Sequence, residues 1–229
     1  MTKLTARTIL GWDAENWSLA LRFWEPHIFN GSADCLELGC GPGGVSLWLA
    51  SRGNFVICSD VQEPNTSVRQ LHQLYGVSDF IKYQAIDARA IPYVEKFDII
   101  IMKSVIGGVL SYYGDDGLHQ VICEVQKALK PGGKLLFAEN LEASPFHMLC
   151  RRKFLGRDAR EWIYPKLNEM LEFLSPFSRI DYQTGGFLGA FGRREWQRTI
   201  LAFADKALLP LLPESSHYIV AGVAQKTVI

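Results

Sequence analysis

Short apolar runs alternate with amphipathic stretches through the middle of the chain. Apolar runs bounded by polar residues or glycine predict strands, and apolar residues recurring every three or four positions predict helices. Strands are predicted at 34–38, 55–59, 79–86, 97–102 and 134–139, and helices at 44–52, 64–75 and 115–129. The run at 97–102 is almost wholly apolar, as expected for a strand covered on both faces of a parallel sheet.

The alternation of strand and helix predicts right-handed crossovers and therefore a doubly wound α/β fold. Beyond residue 140 this rhythm changes. Helices are predicted there at 145–155, 165–174 and 193–208, and strands at 177–184 and 217–224. We expect the last two strands to form an antiparallel edge, which gives a Rossmann-like sheet of about seven strands with helices on both faces.

Composition and charge exclude several classes of protein. The 24 Lys and Arg residues balance the 24 Asp and Glu residues, so nothing in the net charge predicts a nucleic-acid partner. No apolar run is long enough for a membrane span, and the first residues lack a signal-peptide pattern, so we expect a cytoplasmic protein. A basic cluster follows residue 150 and is interpreted as a solvated helix face or, alternatively, as a site for an anionic acceptor; it contains Arg151, Arg152, Lys153, Arg157 and Arg160.

The five cysteines are scattered and include no CxxC pair, so they are interpreted as reduced and structural. Cys40 lies in the glycine-rich stretch LELGCGPGG (36–44) and is the cysteine most expected to touch a ligand. This stretch follows the first predicted strand and precedes a predicted helix. Because ligands of open α/β sheets bind beyond the carboxyl ends of the strands, the stretch predicts a binding loop.

The spacing of the glycines leaves two kinds of ligand open. Gly39, Gly41 and Gly44 satisfy GxGxxG, and Asp60 lies about twenty residues further on, which is typical of dinucleotide binding. Against this alternative, the chain has no second domain large enough to bring a dehydrogenase substrate to a nicotinamide. Glu37 inside an apolar strand needs a cationic or donor partner, such as a cofactor amino group, and Asp87 adds a second acid along the same crevice.

These motifs in this order resemble the class I S-adenosylmethionine-dependent methyltransferases. The resemblance covers about residues 34–140 and rests on the glycine loop, Asp60, Asp87, the stretch FDIIIMKS and the stretch LKPGGKLLF. It implies S-adenosylmethionine as cofactor. It also implies a single domain over 1–229, with a helical cap at 1–30, a cofactor-binding core at 34–140, and lid helices with the last two strands at 141–229.

The resemblance also implies roles for particular residues. The backbone of Gly39, Cys40, Gly41 and Gly43 would lie against the methionine part and ribose of the cofactor, and Glu37 would orient this loop. Asp60, with Val61 beside it, would accept the ribose hydroxyls. Asp87 would accept the adenine amino group, with Ala88 beside the ring, and Lys103 would line the methionine end. Lys103 would also repel a divalent cation, so no metal is expected.

The acceptor is less clearly marked in the sequence. We expect a small molecule or a saccharide, methylated on oxygen by in-line displacement, with His147 or His27 as candidate general bases. The alternatives are an NAD(P)-dependent oxidoreductase and a non-catalytic protein that keeps the cofactor-binding fold. Aromatic residues outside the core are candidates for stacking on the acceptor: Trp24, Tyr112, Tyr113, Phe146, Trp162 and Tyr164.

Overall fold

The computed structural model describes residues 3–154 and 162–228, and it describes side chains for 3–149 and 162–228. The side chains of the basic cluster after residue 150 lie outside the described residues. No helix in the described ranges is long and apolar enough to cross a membrane.

The described chain forms one mixed sheet of seven strands in the order β3-β2-β1-β4-β5-β7-β6. The strands are β1 (Asp34–Leu38), β2 (Phe55–Asp60), β3 (Ile81–Ala85), β4 (Phe97–Lys103), β5 (Leu129–Asn140), β6 (Arg179–Gly185) and β7 (Ile219–Gln225). The first five strands are parallel, and β7 pairs antiparallel with both β5 and β6. The predicted fold class and the predicted antiparallel edge are therefore confirmed.

The chain reverses its direction of strand addition between β1 and β4. β2 and β3 are added on one side of β1, while β4 and β5 follow on the other side. In such a sheet the crevice at this switch point is the expected ligand site, because the loops leaving the two central strands diverge there.

The described helices cover both faces of the sheet. They are α1 (Ala6–Leu10), α2 (Ala14–Trp24), α3 (Gly44–Ala50), α4 (Thr66–Leu74), α5 (Ile106–Ala128), α6 (Pro145–Phe154), α7 (Leu167–Phe173) and α8 (Glu195–Leu208). The first half of α5 was missed by the sequence analysis, because Gly107 and Gly108 disfavour helix. A break at Gly114 (φ 65°, ψ −164°) separates this first half from the predicted second half.

The N-terminal helix α2 packs on one face of the sheet, against β7 and β6. Trp17 and Trp24 are fully buried there, and the indole nitrogen of Trp24 donates a hydrogen bond to the carbonyl of Gly222 at 3.1 Å. Trp24 is therefore a core residue, which corrects its prediction as a candidate for acceptor stacking.

Candidate active site

The glycine loop after β1 adopts a backbone that side chains disfavour. Gly39, Gly41 and Gly43 have positive φ angles of 68°, 48° and 79°. A Cβ atom on Gly39 would lie 2.7 Å from the Cγ2 atom of Val105, so the loop passes directly against the start of α5. The loop therefore spans the switch point between β1 and β4.

Glu37 holds the helix that follows this loop. Gly43 occupies the N-cap position of α3 and has no side chain with which to cap it. Instead the buried Glu37 carboxylate accepts hydrogen bonds from the backbone nitrogen of Ser46 (2.8 Å) and from the Ser46 hydroxyl. Burial raises the pKa of Glu37 to about 7, although the hydrogen bonds from Ser46 oppose the shift. Glu37 thus orients the loop through α3.

His72 on α4 supports the glycine loop through a hydrogen bond to the loop backbone, a role that the sequence did not predict. Its Nε2 lies 2.8 Å from the carbonyl oxygen of Gly43, and its Nδ1 lies 2.9 Å from the hydroxyl of Tyr83. Because a carbonyl can only accept, Nε2 carries the proton and donates it to Gly43. Burial lowers the pKa of His72, which favours this neutral form. A signal was present in the spacing of Val68 and His72, four residues apart on one helix face.

A cavity of about 480 Å³ opens beside the glycine loop at the carboxyl ends of the central strands. Six of the ten predicted cofactor residues line it: Gly39, Gly41, Asp60, Val61, Asp87 and Ala88. The first half of α5 closes the opposite wall. Glu37, Cys40, Gly43 and Lys103 do not line this cavity. The Cys40 side chain is buried in the core, so the contact expected of Cys40 with a ligand stays a prediction for its backbone alone.

Asp60, at the end of β2, is fixed by the loop that it faces. One carboxylate oxygen accepts a hydrogen bond from the backbone nitrogen of Gly41 (3.1 Å), and the other accepts from that of Val61 (2.8 Å). A carboxylate oxygen can accept two hydrogen bonds, so both oxygens retain capacity for a ligand.

Asp87, which follows β3, is paired with Arg89, a residue that the sequence analysis missed. The Arg89 guanidinium donates to both carboxylate oxygens at 3.1 and 2.6 Å, and these hydrogen bonds lower the pKa of Asp87. The same guanidinium lies over the ring of Tyr113 on α5, 3.5 Å from its centroid. Since all three residues line the cavity, Arg89 and Tyr113 bridge it from one wall to the other.

Lys103 and its neighbour Ser104 lie on different sides of the sheet edge, because β4 ends at Lys103 and Ser104 has a positive φ of 55°. Ser104 lines the cavity, whereas the Lys103 ammonium lies on the other side, 4.8 Å from the ring centroid of Trp17. Burial lowers the pKa of Lys103, and the negative charges of Glu37 and Glu139 oppose this shift. The Lys103 ammonium thus lies on the α2 face, and the structure does not bring it to the cavity where the resemblance implied a role for it.

Glu139, near the end of β5, repeats the arrangement of Glu37. It is fully buried and accepts hydrogen bonds from the backbone nitrogens of Gly107 (3.3 Å) and Asn140 (2.9 Å). Gly107 is in the first turn of α5, so a glutamate again stabilises a helix start that lacks its own cap. Burial raises the pKa of Glu139 to about 7.

The structure brings neither candidate base to the cavity. His147 is fully buried; its Nδ1 lies 2.7 Å from the Ser144 hydroxyl and its Nε2 2.8 Å from the Phe187 carbonyl. His27 lies 3.4 Å from the Nζ of Lys134, near the amino end of the parallel strands and opposite the cavity. Both predictions are corrected by these positions, because spacing along the chain does not reveal which edge of the sheet a side chain reaches.

The fold is Rossmann-like, and the cavity lies where sheets of this kind bind nucleotide-type ligands. A family profile described as "Methyltransferase domain" matches residues 36–137. A ubiquinone biosynthesis O-methyltransferase from Pseudomonas fluorescens is 35% identical over 106 residues, which cover 45% of this chain and 42% of that protein. The sterol 4-C-methyltransferase strm-1 of Caenorhabditis elegans is 27% identical over 114 residues, or 49% of this chain and 32% of that protein.

A solved S-adenosylmethionine-dependent methyltransferase from Methanosarcina mazei has the same fold. It superposes with a TM-score of 0.61 at 18% identity, covering 90% of this chain and 97% of that chain. Residues 36–137 therefore match a methyltransferase domain, and the described chain has the fold of a solved S-adenosylmethionine-dependent methyltransferase. The matched segment spans less than half the length of the two curated relatives named above.

Proposed function

We propose that this chain transfers a methyl group from S-adenosylmethionine to a small-molecule acceptor by in-line displacement. The observation that carries the proposal is one cavity that joins the glycine loop to two carboxylates, Asp60 and Asp87, at the ends of neighbouring strands. Carboxylates at these places suit a ligand that offers hydroxyl and amino groups, as a nucleoside does. Bound there, the cofactor supplies an electrophilic methyl group.

The residues of the cavity fit this cofactor. Asp60 would accept the ribose hydroxyls with its remaining lone pairs, and Asp87, held by Arg89, would accept the adenine amino group beside Ala88. Ser104 lines the cavity, and its buried hydroxyl has no hydrogen-bond partner among the described residues. An unpaired buried hydroxyl is costly, so Ser104 favours a polar ligand group at the methionine end of the cavity.

The chain's own contribution to the reaction is positioning. The glycine loop, fixed by Glu37 and His72, and the first half of α5 would hold cofactor and acceptor at attack distance, which lowers the barrier without a nucleophilic side chain. We propose oxygen as the methylated atom, supported by the O-methyltransferase relative; carbon is the alternative, supported by the sterol C-methyltransferase relative. A small molecule or a saccharide remains our proposed acceptor class, and a cytoplasmic location our proposed setting.

We further propose the division into a cap (1–30), a cofactor core (34–140) and an acceptor side (141–229). Residues 162 and 163 would contribute to the acceptor side: Trp162 packs over Gly107 and Gly108, and the Ile163 nitrogen donates to the Ser111 hydroxyl at 2.8 Å. A Cβ on Gly107 would collide with the Trp162 indole, so this close approach requires glycine.

Calorimetry with S-adenosylhomocysteine and with NAD tests the cofactor proposal. We expect S-adenosylhomocysteine to bind and NAD not to bind. Asp60→Ala should weaken that binding by roughly 1 to 3 kcal/mol, or about 5- to 150-fold, through lost hydrogen bonds. Asp79→Ala, an exposed carboxylate at the amino edge of the sheet, is the matched control and should bind normally. Tight NAD binding, or an unchanged affinity of Asp60→Ala, would refute the assignment.

Methyl transfer itself is tested with labelled S-adenosylmethionine and panels of hydroxylated aromatics and saccharides. Label in an oxygen-linked methyl group supports the proposal. Label in a carbon-linked methyl group would replace oxygen by carbon as the acceptor atom, and no label with any extract or panel would favour a non-catalytic binding protein.

A further inference from the structure

Three large apolar side chains form a stripe on the solvent side of α8. Trp196, Ile200 and Phe203 are spaced i, i+4 and i+7, and they are 58%, 59% and 62% exposed. This spacing places them on one face of the helix. Ala202 and Asp205 are buried on the face that packs on the protein, so the apolar stripe is turned away from the core.

A fourth apolar residue, Leu211, is 80% exposed in the turn that follows α8. We call these four residues the α8 surface: Trp196, Ile200, Phe203 and Leu211. Single exposed apolar residues are common on soluble proteins, but three aligned on one helix face mark an interaction surface.

Basic residues lie beside the α8 surface. Arg193 and Arg194 are exposed immediately before the helix. The Lys206 ammonium lies 4.5 Å from the ring centroid of Phe203 and is paired with Glu15 of α2 at 3.0 Å. The acids of α8 are engaged elsewhere. Glu195 pairs with Arg198 at 2.8 Å, and Asp205 is buried.

The helix is anchored so that it cannot turn its stripe inward. Asp205 accepts hydrogen bonds from three consecutive backbone nitrogens, of Phe187 (3.0 Å), Leu188 (2.7 Å) and Gly189 (3.2 Å). At the start of the helix, Glu195 accepts from the backbone nitrogen of Asp13 at 2.8 Å. The α8 surface is therefore a fixed feature of the folded protein.

We propose that the α8 surface docks onto the anionic lipid surface of a bilayer. Apolar side chains that include a tryptophan, next to two exposed arginines, fit the boundary between acyl chains and anionic head groups. Glu214 is the exposed acid nearest in sequence to Leu211. A polar protein partner would offer no apolar surface against which the four apolar side chains could be buried. The docking is peripheral, and it does not depend on the identity of the methyl acceptor.

Flotation of the full chain with vesicles tests this proposal. We expect binding to vesicles of phosphatidylcholine mixed with phosphatidylglycerol, and weaker binding to phosphatidylcholine alone. The triple variant Trp196→Gln, Ile200→Gln and Phe203→Gln should reduce binding by about tenfold or more, since affinity scales with buried apolar area. The variant Arg193→Gln with Arg194→Gln should lose mainly the preference for anionic vesicles, and added salt should mimic it.

The control variant is Leu74→Gln with Val94→Gln, which removes two apolar residues of similar exposure, 68% and 70%, from other parts of the surface. It should bind vesicles like the unmodified protein. Binding of S-adenosylhomocysteine and circular dichroism verify that each variant is folded. Failure of the unmodified protein to bind anionic vesicles would overturn the proposal, as would equal binding by the triple variant. So would sedimentation showing that the triple variant converts a dimer to a monomer without affecting vesicle binding.

Discussion

Two proposed parts of the carboxyl edge are held together by different means. The donor side is formed by the glycine loop with Asp60 and Asp87, and the acceptor side is formed where residues of 141–229 bind the cap (1–30). On the donor side, a glycine loop takes its shape from close backbone approaches, and nearby strand residues fix it in place. On the acceptor side, side chains distant in sequence bind one another: the Tyr218 hydroxyl donates to Asp13, and Asn16 donates to Tyr218 at 3.0 Å. A compact motif can therefore be found in a sequence, whereas a distributed network cannot.

The acceptor side also contains a strained residue that marks this network. Asp13 is fully buried and has a positive φ of 45° just before α2. Burial raises the pKa of Asp13 to about 6, against the hydrogen bond from Tyr218 and the charge of Arg198. Such a conformation persists only where the surroundings determine it, so the contacts from α8 and Tyr218 hold α2 in place.

Glycine substitutions on the donor side give the largest expected effect. In Gly43→Ala the new Cβ would lie 2.6 Å from Val68 and 2.9 Å from the His72 ring, at a φ of 79°. Backbone strain and overpacking together should lower the free energy of unfolding by about 3 to 5 kcal/mol. Gly41→Ala is the matched control, because it has positive φ but no atom within 4 Å, and it should lose about 1 kcal/mol. Equal losses in urea unfolding would show that packing beneath the loop is unimportant.

The two buried glutamates predict a pH dependence of stability. The pKa of Glu37 and that of Glu139 are each raised from 4.5 to about 7, so the folded chain keeps protons that the unfolded chain releases. Their contribution therefore makes the free energy of unfolding fall as pH rises from about 4.5 to 7, on the order of 3 kcal/mol per group. Glu139→Gln removes one of the two titrating carboxyl groups, so the free energy of unfolding should fall less steeply with pH in this variant. Urea unfolding across that range measures it, and an unchanged slope in the variant would contradict the prediction.

Asp205→Asn should disturb the acceptor side alone. The amide offers one oxygen to three backbone nitrogens and loses the charge, so we expect a loss of about 2 to 3 kcal/mol. Hydrogen exchange should show faster exchange at 187–189 while affinity for S-adenosylhomocysteine stays unchanged. If Asp205→Asn also weakened the binding of S-adenosylhomocysteine, the donor side and the acceptor side would be one cooperative unit.

The smallest expected effect concerns the bridge across the cavity. Tyr113→Leu removes the ring beneath Arg89 and should weaken S-adenosylhomocysteine binding by about two- to fivefold, whereas Tyr113→Phe keeps the ring and should bind normally. Calorimetry distinguishes them. A weakened Phe variant would assign the role to the hydroxyl instead of the ring.

Most of the sheet could be predicted because its strands are apolar runs with clear boundaries; β1 begins and ends at the predicted residues. The first half of α5 could not be predicted, because the need for glycine at 107 and 108 arises from their contact with Trp162, which lies more than fifty residues away in the sequence. The positions of Asp60 and Asp87 at strand ends could be predicted, because both residues closely follow apolar runs. The position of His147 could not, because it depends on contacts distant in sequence. Its surroundings, Phe187 and Phe191, belong to a distant loop.

The position of β7 between β5 and β6 has a consequence for the order of folding during synthesis. The parallel strands β1 to β5 can pair as soon as they have been made, but β6 has no partner until β7 emerges. Trp24 and Asp13 also find their partners, Gly222 and Tyr218, only in and beside that strand. The nascent chain would therefore contain a formed cofactor core while α2 and β6 still lack their partners. The apolar surfaces of α2 and β6 would then be exposed to chaperones or to aggregation.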